Sequence, residues 1–257
     1  PLASAENPAP GAASALWVST FAFTACFAVW TIFSIIGVQI KTNLGLSEAQ
    51  FGLLVGTPIL TGSLVRVFLG VWTEQFGGRR VNLIVMVLAA AATFLLSYAQ
   101  TYGQFLIAAV GVAYVSKFYP AGRQGTALGI FGAGNVGAAV TKFAAPFVML
   151  ALGWEAVAQI WAGALLIIAL GFFLLTRDEP QLVARRRSGE RAAAAWMQLT
   201  PLKDLRVWRF ALYYFFVFGG FVALALWLPH YLTGAYGVGI GVAGMLAAAY
   251  SIPGSLF

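Results

Sequence analysis

Long apolar runs separated by short polar breaks dominate the chain. Taking about 20 mostly apolar residues as the length that crosses the hydrocarbon core of a bilayer, the pattern predicts spanning helices over Leu16–Ile40, Phe51–Trp72, Leu83–Ala99, Gln124–Leu150, Val157–Leu175 and Phe210–Leu232. Two further runs are irregular. Phe105–Val115 reaches only about 17 Å as a helix at 1.5 Å per residue, against a core of about 30 Å; Val242–Phe257 is still apolar at the last residue. The longest polar connection, Thr176–Arg209, separates the apolar runs before it from the two after it. The plan is an all-α integral membrane protein: a flexible tail over 1–15, a six-span N-terminal half over 16–176 with its fourth helix shortened, a cytoplasmic linker over 177–209, and a truncated start of a C-terminal half over 210–257 holding span seven and part of span eight.

Composition supports the membrane class. With 61% hydrophobic and 9% charged residues and a mean hydropathy of +0.86, the chain has too little polar surface to stay dissolved as a globular domain. Cys26 is the one cysteine, so no disulfide forms within the chain, and a small packing role suits it. Pro1–Ser14 carries no Lys or Arg and so lacks the basic start of a signal peptide. The net charge of +7 is explained by the topology. Of the 15 Lys and Arg, all but Lys41, Arg66 and Lys142 fall between spans two and three, four and five, or six and seven. That is the positive-inside distribution, with the N-terminus and the linker cytoplasmic. It calls for no nucleic acid, and the cluster Arg185–Arg187 is suited to a solvated loop or to anionic lipid headgroups. Lys117 and Arg123 belong inside only if the short fourth segment crosses. Either that helix has lost turns, the simpler explanation, or neighbouring helices and a thinned bilayer accommodate the mismatch.

Three polar residues inside spans carry the candidate chemistry. Arg66 lies within Gly52–Trp72, and an arginine at that depth faces a polar cavity and a partner. No acidic residue lies in that run before Glu74 near its end, which points to an anionic substrate as the partner. Asn135 places a carboxamide in span five, where an interhelical hydrogen bond is the plainest role. Lys142, farther along span five, has three open readings: a proton-coupling residue, an added attraction for anions, or a side chain snorkelling to the outer interface. Every Asp and Glu falls in tails, loops or span ends, so no carboxylate proton relay is visible. His230, beside Pro229, reads as an interfacial residue. Across the linker, Gly52–Leu54 matches Gly244–Leu246, and Gly62–Val65 matches Gly254–Phe257 at the same spacing. Two related halves with a midplane site between them is a transporter architecture.

After span two, Gly70, Glu74, Arg79 and Arg80 set a helix-end glycine, an acid and a basic pair at the inner face. Glu74 is placed to meet Arg79 or Arg80, or to cap a neighbouring helix, in a contact that opens and closes. This stretch resembles the loop-two-to-three motif of the major facilitator superfamily, with Glu74 where aspartate is more usual. In span five, Gly125, Gly129 and Gly132 form a smooth strip for close helix packing, and the string Gly132–Gly137 resembles the nitrate signature of the nitrate/nitrite porter family within that superfamily. Phe27–Trp30 and Thr57–Arg66 are similar to the same family, so the resemblance runs from the first span onward.

The resemblance implies a cavity between halves where Arg66 and a second arginine from span eight, beyond Phe257, grip the anion. It implies that Asn135 is the signature asparagine, with Gly132 and Gly134 giving close access. It also implies that Tyr214 and Phe218, one turn apart in span seven, supply a hydroxyl and an aromatic face. A fourth-span aromatic of the family has no counterpart, that region being about ten residues shorter than the family pattern. Nitrate is planar and always ionised, and arginine offers a planar fork of donors with a permanent charge. The expected function is therefore alternating-access transport of nitrate or nitrite across a bacterial inner membrane, with protons as a possible coupling ion and no enzymatic activity, cofactor or metal. A complete homologue is expected to be monomeric. The alternatives are a carrier of another small anion and a non-transporting membrane fragment.

Overall fold

The structure, a computed structural model, describes residues 12–112, 132–177, 188 and 202–256. The first span is two helices, α1 (Ala12–Trp30) and α2 (Phe33–Leu44). Between them, the Thr31 hydroxyl donates to Phe27 O at 3.0 Å and Ser34 Oγ to Thr31 O at 2.7 Å. Hydroxyls that bond back to the preceding turn compete with the helical ladder and bend it. Span two is α3 (Glu48–Phe76), opened by a capping box in which Ser47 and Gln50 bond reciprocally, satisfying two N–H groups that a helix start leaves open. Span three is α4 (Gly78–Leu96). The short fourth segment begins as α5 (Tyr102–Val112); its continuation, with Lys117, Arg123, Gly125 and Gly129, lies outside the described residues.

Span five enters through a 3-10 turn at Ala133–Val136 and continues as α6 (Gly137–Leu152), with α7 (Trp154–Leu175) next in the chain. The second half contributes α8 (Leu205–Tyr236) and α9 (Ile240–Leu256). α8 starts a turn earlier than hydropathy placed it, because the Asp204 carboxylate accepts from Arg206 N at 2.9 Å and caps the helix. Except for Ser188, the linker from Asp178 to Pro201 lies outside the described residues, as does most of the tail.

Five helical segments among the described residues are long and apolar enough to cross a membrane: Ser14–Leu44, Gly78–Leu96, Ala133–Leu152, Trp154–Leu175 and Leu205–Tyr236. The first span is the hub, packing on α3, α6, α7 and α8. Ile32, Phe33, Ile35 and Ile36 are wholly buried there. The two halves meet where α2 packs on α8, and where α9 packs on α6 and on the 3-10 turn. Polar side chains along these two seams define the candidate site.

Candidate functional site

The signature segment is fixed against the first span by the absence of side chains. A Cβ on Gly137 would lie 2.8 Å from Ala28 N and also strike Thr24 O; one on Gly134 would run into the Phe23 ring. The two backbones therefore touch, the close approach that glycine permits in membrane helices. One turn on, Thr141 Oγ1 donates to Ala28 O at 2.6 Å and accepts from Trp161 Nε1 at 2.9 Å, tying α1, α6 and α7 together. Asn135 sits in the 3-10 turn. Its Oδ1 is buried and has no hydrogen-bond partner among the described residues, so the interhelical bond that is the plainest role for such a residue is not made by this oxygen. Gly132 flanks the turn half-buried, with open space where a Cβ would stand.

Lys142 is not at an interface with water or headgroups. Its side chain is fully buried, which excludes the snorkelling reading, and Nζ donates to Ser251 Oγ of α9 at 2.5 Å. Ser251 Oγ in turn donates to Ala247 O at 2.9 Å. The contact joins the two halves near the middle of both helices. Gly244 makes the seam tight, since a Cβ there would be 2.7 Å from Pro146 Cγ and would meet Lys142 O.

Tyr214 and Phe218 do come together, as stacked rings 4.9 Å apart and 13° from parallel. The aromatic series continues through Phe221, 6.2 Å from Phe218, to Tyr250 of α9, 6.1 Å from Phe221. It ends beside Ser251. The backbone at Arg66 belongs to α3, as does that at Glu74; the side chains of both lie outside the described residues. Gly70 is a half-buried position of α3. Arg79 takes the neighbouring-helix role: Nε donates to Phe173 O at 3.0 Å, Nη2 to the same oxygen at 2.5 Å, and the guanidinium lies 4.1 Å from the Phe173 ring. It satisfies a carbonyl in the last turn of α7, where a cation is favoured by the helix dipole. Arg80 is exposed.

Two features are not evident from the sequence pattern. His230 is part of a cross-half cluster at the end of the bundle where α2 meets α3. Lys41 Nζ binds Glu48 Oε1, His230 Nε2 lies 3.1 Å from Glu48 Oε2 and 3.3 Å from Lys41 Nζ, and the imidazole packs on Phe51 at 4.4 Å. The hydrogen bond from Lys41, and then that from His230, holds the exposed Glu48 carboxyl below its ordinary range. A groove of about 430 Å³ opens beside it, lined by Glu48, Trp227 and His230 among others. The pairing of Lys41 with Glu48 across one short turn was a readable signal; the arrival of His230 was not. Trp30 is the other. Its Nε1 is buried without a partner among the described residues, an N–H donor left open in the first span.

A family model described as Major Facilitator Superfamily matches residues 18–257. The chain is 36% identical over 274 residues to the probable nitrate/nitrite antiporter NarK1 of Thermus thermophilus, an alignment covering 98% of this chain and 60% of that protein. It is 31% identical over 247 residues to the nitrite extrusion protein of Bacillus subtilis (strain 168), covering 91% and 60%. The chain thus spans about 60% of the length of these relatives. Among solved structures, a bacterial homologue of the human lysosomal transporter Spinster superposes in its inward-facing occupied form with a TM-score of 0.71 at 19% identity, covering 96% of this chain and 59% of that one. Its unoccupied form gives 0.72 at 18% identity, covering 96% and 60%. At that identity the likeness concerns the fold alone. By the family match and the relatives together, the chain belongs to the Major Facilitator Superfamily, and within it to the nitrate/nitrite porter family.

Proposed function

We propose that this chain serves a secondary transporter that moves nitrate and nitrite across a bacterial inner membrane by alternating access, with its N-terminus and central linker on the cytoplasmic side. The observation that carries the reading is the signature segment itself. It folds as a tight turn at the junction of the first span, α6 and α9, held there by Gly134 and Gly137 against Phe23, Thr24 and Ala28 of α1. The relatives, a probable nitrate/nitrite antiporter and a nitrite extrusion protein, suggest the substrate class.

In this reading Arg66 provides the main charge for the anion, and its planar fork suits a planar oxyanion. The Asn135 amide N–H and the Tyr214 hydroxyl are donors for the remaining oxygens, Trp30 Nε1 is a further one, and Phe218 presents a flat face. Gly132, with open space where a Cβ would stand, keeps the approach to Asn135 clear, and Gly134 lets the turn close onto Phe23 of the opposite helix. Binding neutralises one buried charge, so the anion has a different affinity for open and closed arrangements, which any ligand that shifts a conformational equilibrium requires. Gly70, Glu74, Arg79 and Arg80 form the inner contact that the cycle makes and breaks; Arg79 spans α4 and the end of α7. The test is uptake of isotopically labelled nitrate by liposomes holding the full-length protein, with chloride, formate and nitrite as competitors. Competition by nitrite alone is the expected result. Equal competition by chloride or formate assigns the protein to another small anion.

A further inference from the structure

Lys142 buries its terminal nitrogen completely, with an alcohol as its hydrogen-bond acceptor. Among the described residues no carboxylate reaches it, and the acids of the sequence lie in tails, loops or span ends. An ammonium has three donors and needs a counter-charge when removed from water. Ser251 occupies one donor and supplies no charge. Its own proton goes to Ala247 O, so the serine oxygen meets the lysine as an acceptor.

The surroundings form a seam between the halves, where α6 packs on α9. Lys142 lies seven positions after Asn135, two helical turns along the same face and about 10 Å further on. That face looks toward the second half: Gly244 rests on the backbone of Lys142 and on Pro146. The α9 side of the seam is small, with Gly244, Ala247 and Ser251 at one-turn spacing. A charge at this point borders both halves and lies on the same helix as the residue that the transport reading gives to the anion.

We propose that Lys142 is a second anion-coordinating residue, at which the serine oxygen on the ammonium is exchanged for an oxygen of a small monovalent oxyanion when the seam between α6 and α9 parts in the transport cycle. The proposal rests on the transport reading and assigns it a second station. A lysine suits such a station because a compact point charge attracts an anion without the bidentate grip of arginine, and passage requires binding weak enough to release. Ser251 is then a placeholder that keeps the ammonium hydrogen-bonded when no anion is present.

The experiment compares the full-length protein with Lys142→Gln, Lys142→Arg and Ser251→Ala in liposomes, reading the nitrate concentration for half-maximal uptake and the maximal rate separately. Lys142→Gln is expected to raise the half-saturating concentration about tenfold or more, the scale of a lost charge-assisted hydrogen bond. Lys142→Arg is expected to stay much closer to the parent. Ser251→Ala, which removes the oxygen that competes for the ammonium, is expected to leave the half-saturating concentration within about threefold of the parent or lower it. A folded Lys142→Gln protein with parental half-saturation overturns the proposal. So does a Ser251→Ala protein that loses about tenfold, because that is the signature of a tether between helices; this arm decides the matter even where Lys142→Gln does not fold. A parent that carries no nitrate at all removes the transport reading, and the second station with it.

Discussion

The two halves of the molecule are joined by polar contacts at two depths, and the two contacts are built oppositely. At the rim, Lys41, Glu48 and His230 bring both signs of charge together, with Glu48 76% exposed. In the interior, Lys142 meets an uncharged hydroxyl at zero exposure. Water screens the rim contact and limits its value to stability, so such a clasp is easy to make and to release. The same ammonium chemistry buried without a counter-ion is destabilising, and a membrane protein that retains such a group uses it. Depth, more than residue type, separates a replaceable clasp from a functional residue.

The sharpest way to break this comparison is to separate the interior contact while sparing the rim. Gly244→Leu inserts a side chain where even a Cβ stands 2.7 Å from Pro146 Cγ. It is expected to cost about 3 kcal/mol or to prevent assembly, as over-packing against fixed neighbours does, and thermal unfolding in detergent reads the loss. A smaller effect is expected from Thr141→Val, which leaves Trp161 Nε1 and Ala28 O without their shared hydroxyl at about 2 kcal/mol. Because Thr141 works within the first half, its loss should lower the unfolding temperature and leave nitrate half-saturation unchanged. An equal change in both would show that α6 transmits strain to the site.

The smallest effect belongs to the rim. The Glu48 carboxyl titrates below its ordinary range because Lys41 and then His230 hydrogen-bond its ionised form. A group with a lowered folded-state pKa contributes stability that is fully present above its ordinary value and is lost as pH falls through the lowered one. Acidification below the ordinary carboxylate range is therefore expected to loosen the clasp slightly, and Glu48→Gln to remove that response. A distance measurement between spin labels placed near Leu44 and Tyr231 checks both. A pH response that survives in Glu48→Gln assigns it to another group.

Hydropathy located the helices because burial in lipid demands continuous apolar length. It did not show the break in the first span at Thr31, where the sequence has neither glycine nor proline to mark it. It also missed the early start of α8, although Asp204 before Leu205 was a legible cap. The depth of Lys142 along span five was readable, but its direction was not: a side chain near midspan reaches lipid, the interface or a neighbouring helix according to rotation, which only the packing of α9 fixed. His230 posed the same difficulty, since its partners are on α2 and α3, far away in the chain. Gly132, read with Gly125 and Gly129 as part of a packing strip, faces open space; the glycines that meet α1, at Phe23, Thr24 and Ala28, are Gly134 and Gly137, a partnership the spacing did not reveal.

The central claim is that a guanidinium in span two holds nitrate between the halves. The most direct measurement is equilibrium binding of nitrate to the purified full-length protein and to its Arg66→Lys variant. A loss of about tenfold or more in affinity is expected, since lysine keeps the charge and gives up the planar fork. Unchanged affinity in a folded Arg66→Lys protein would contradict the account.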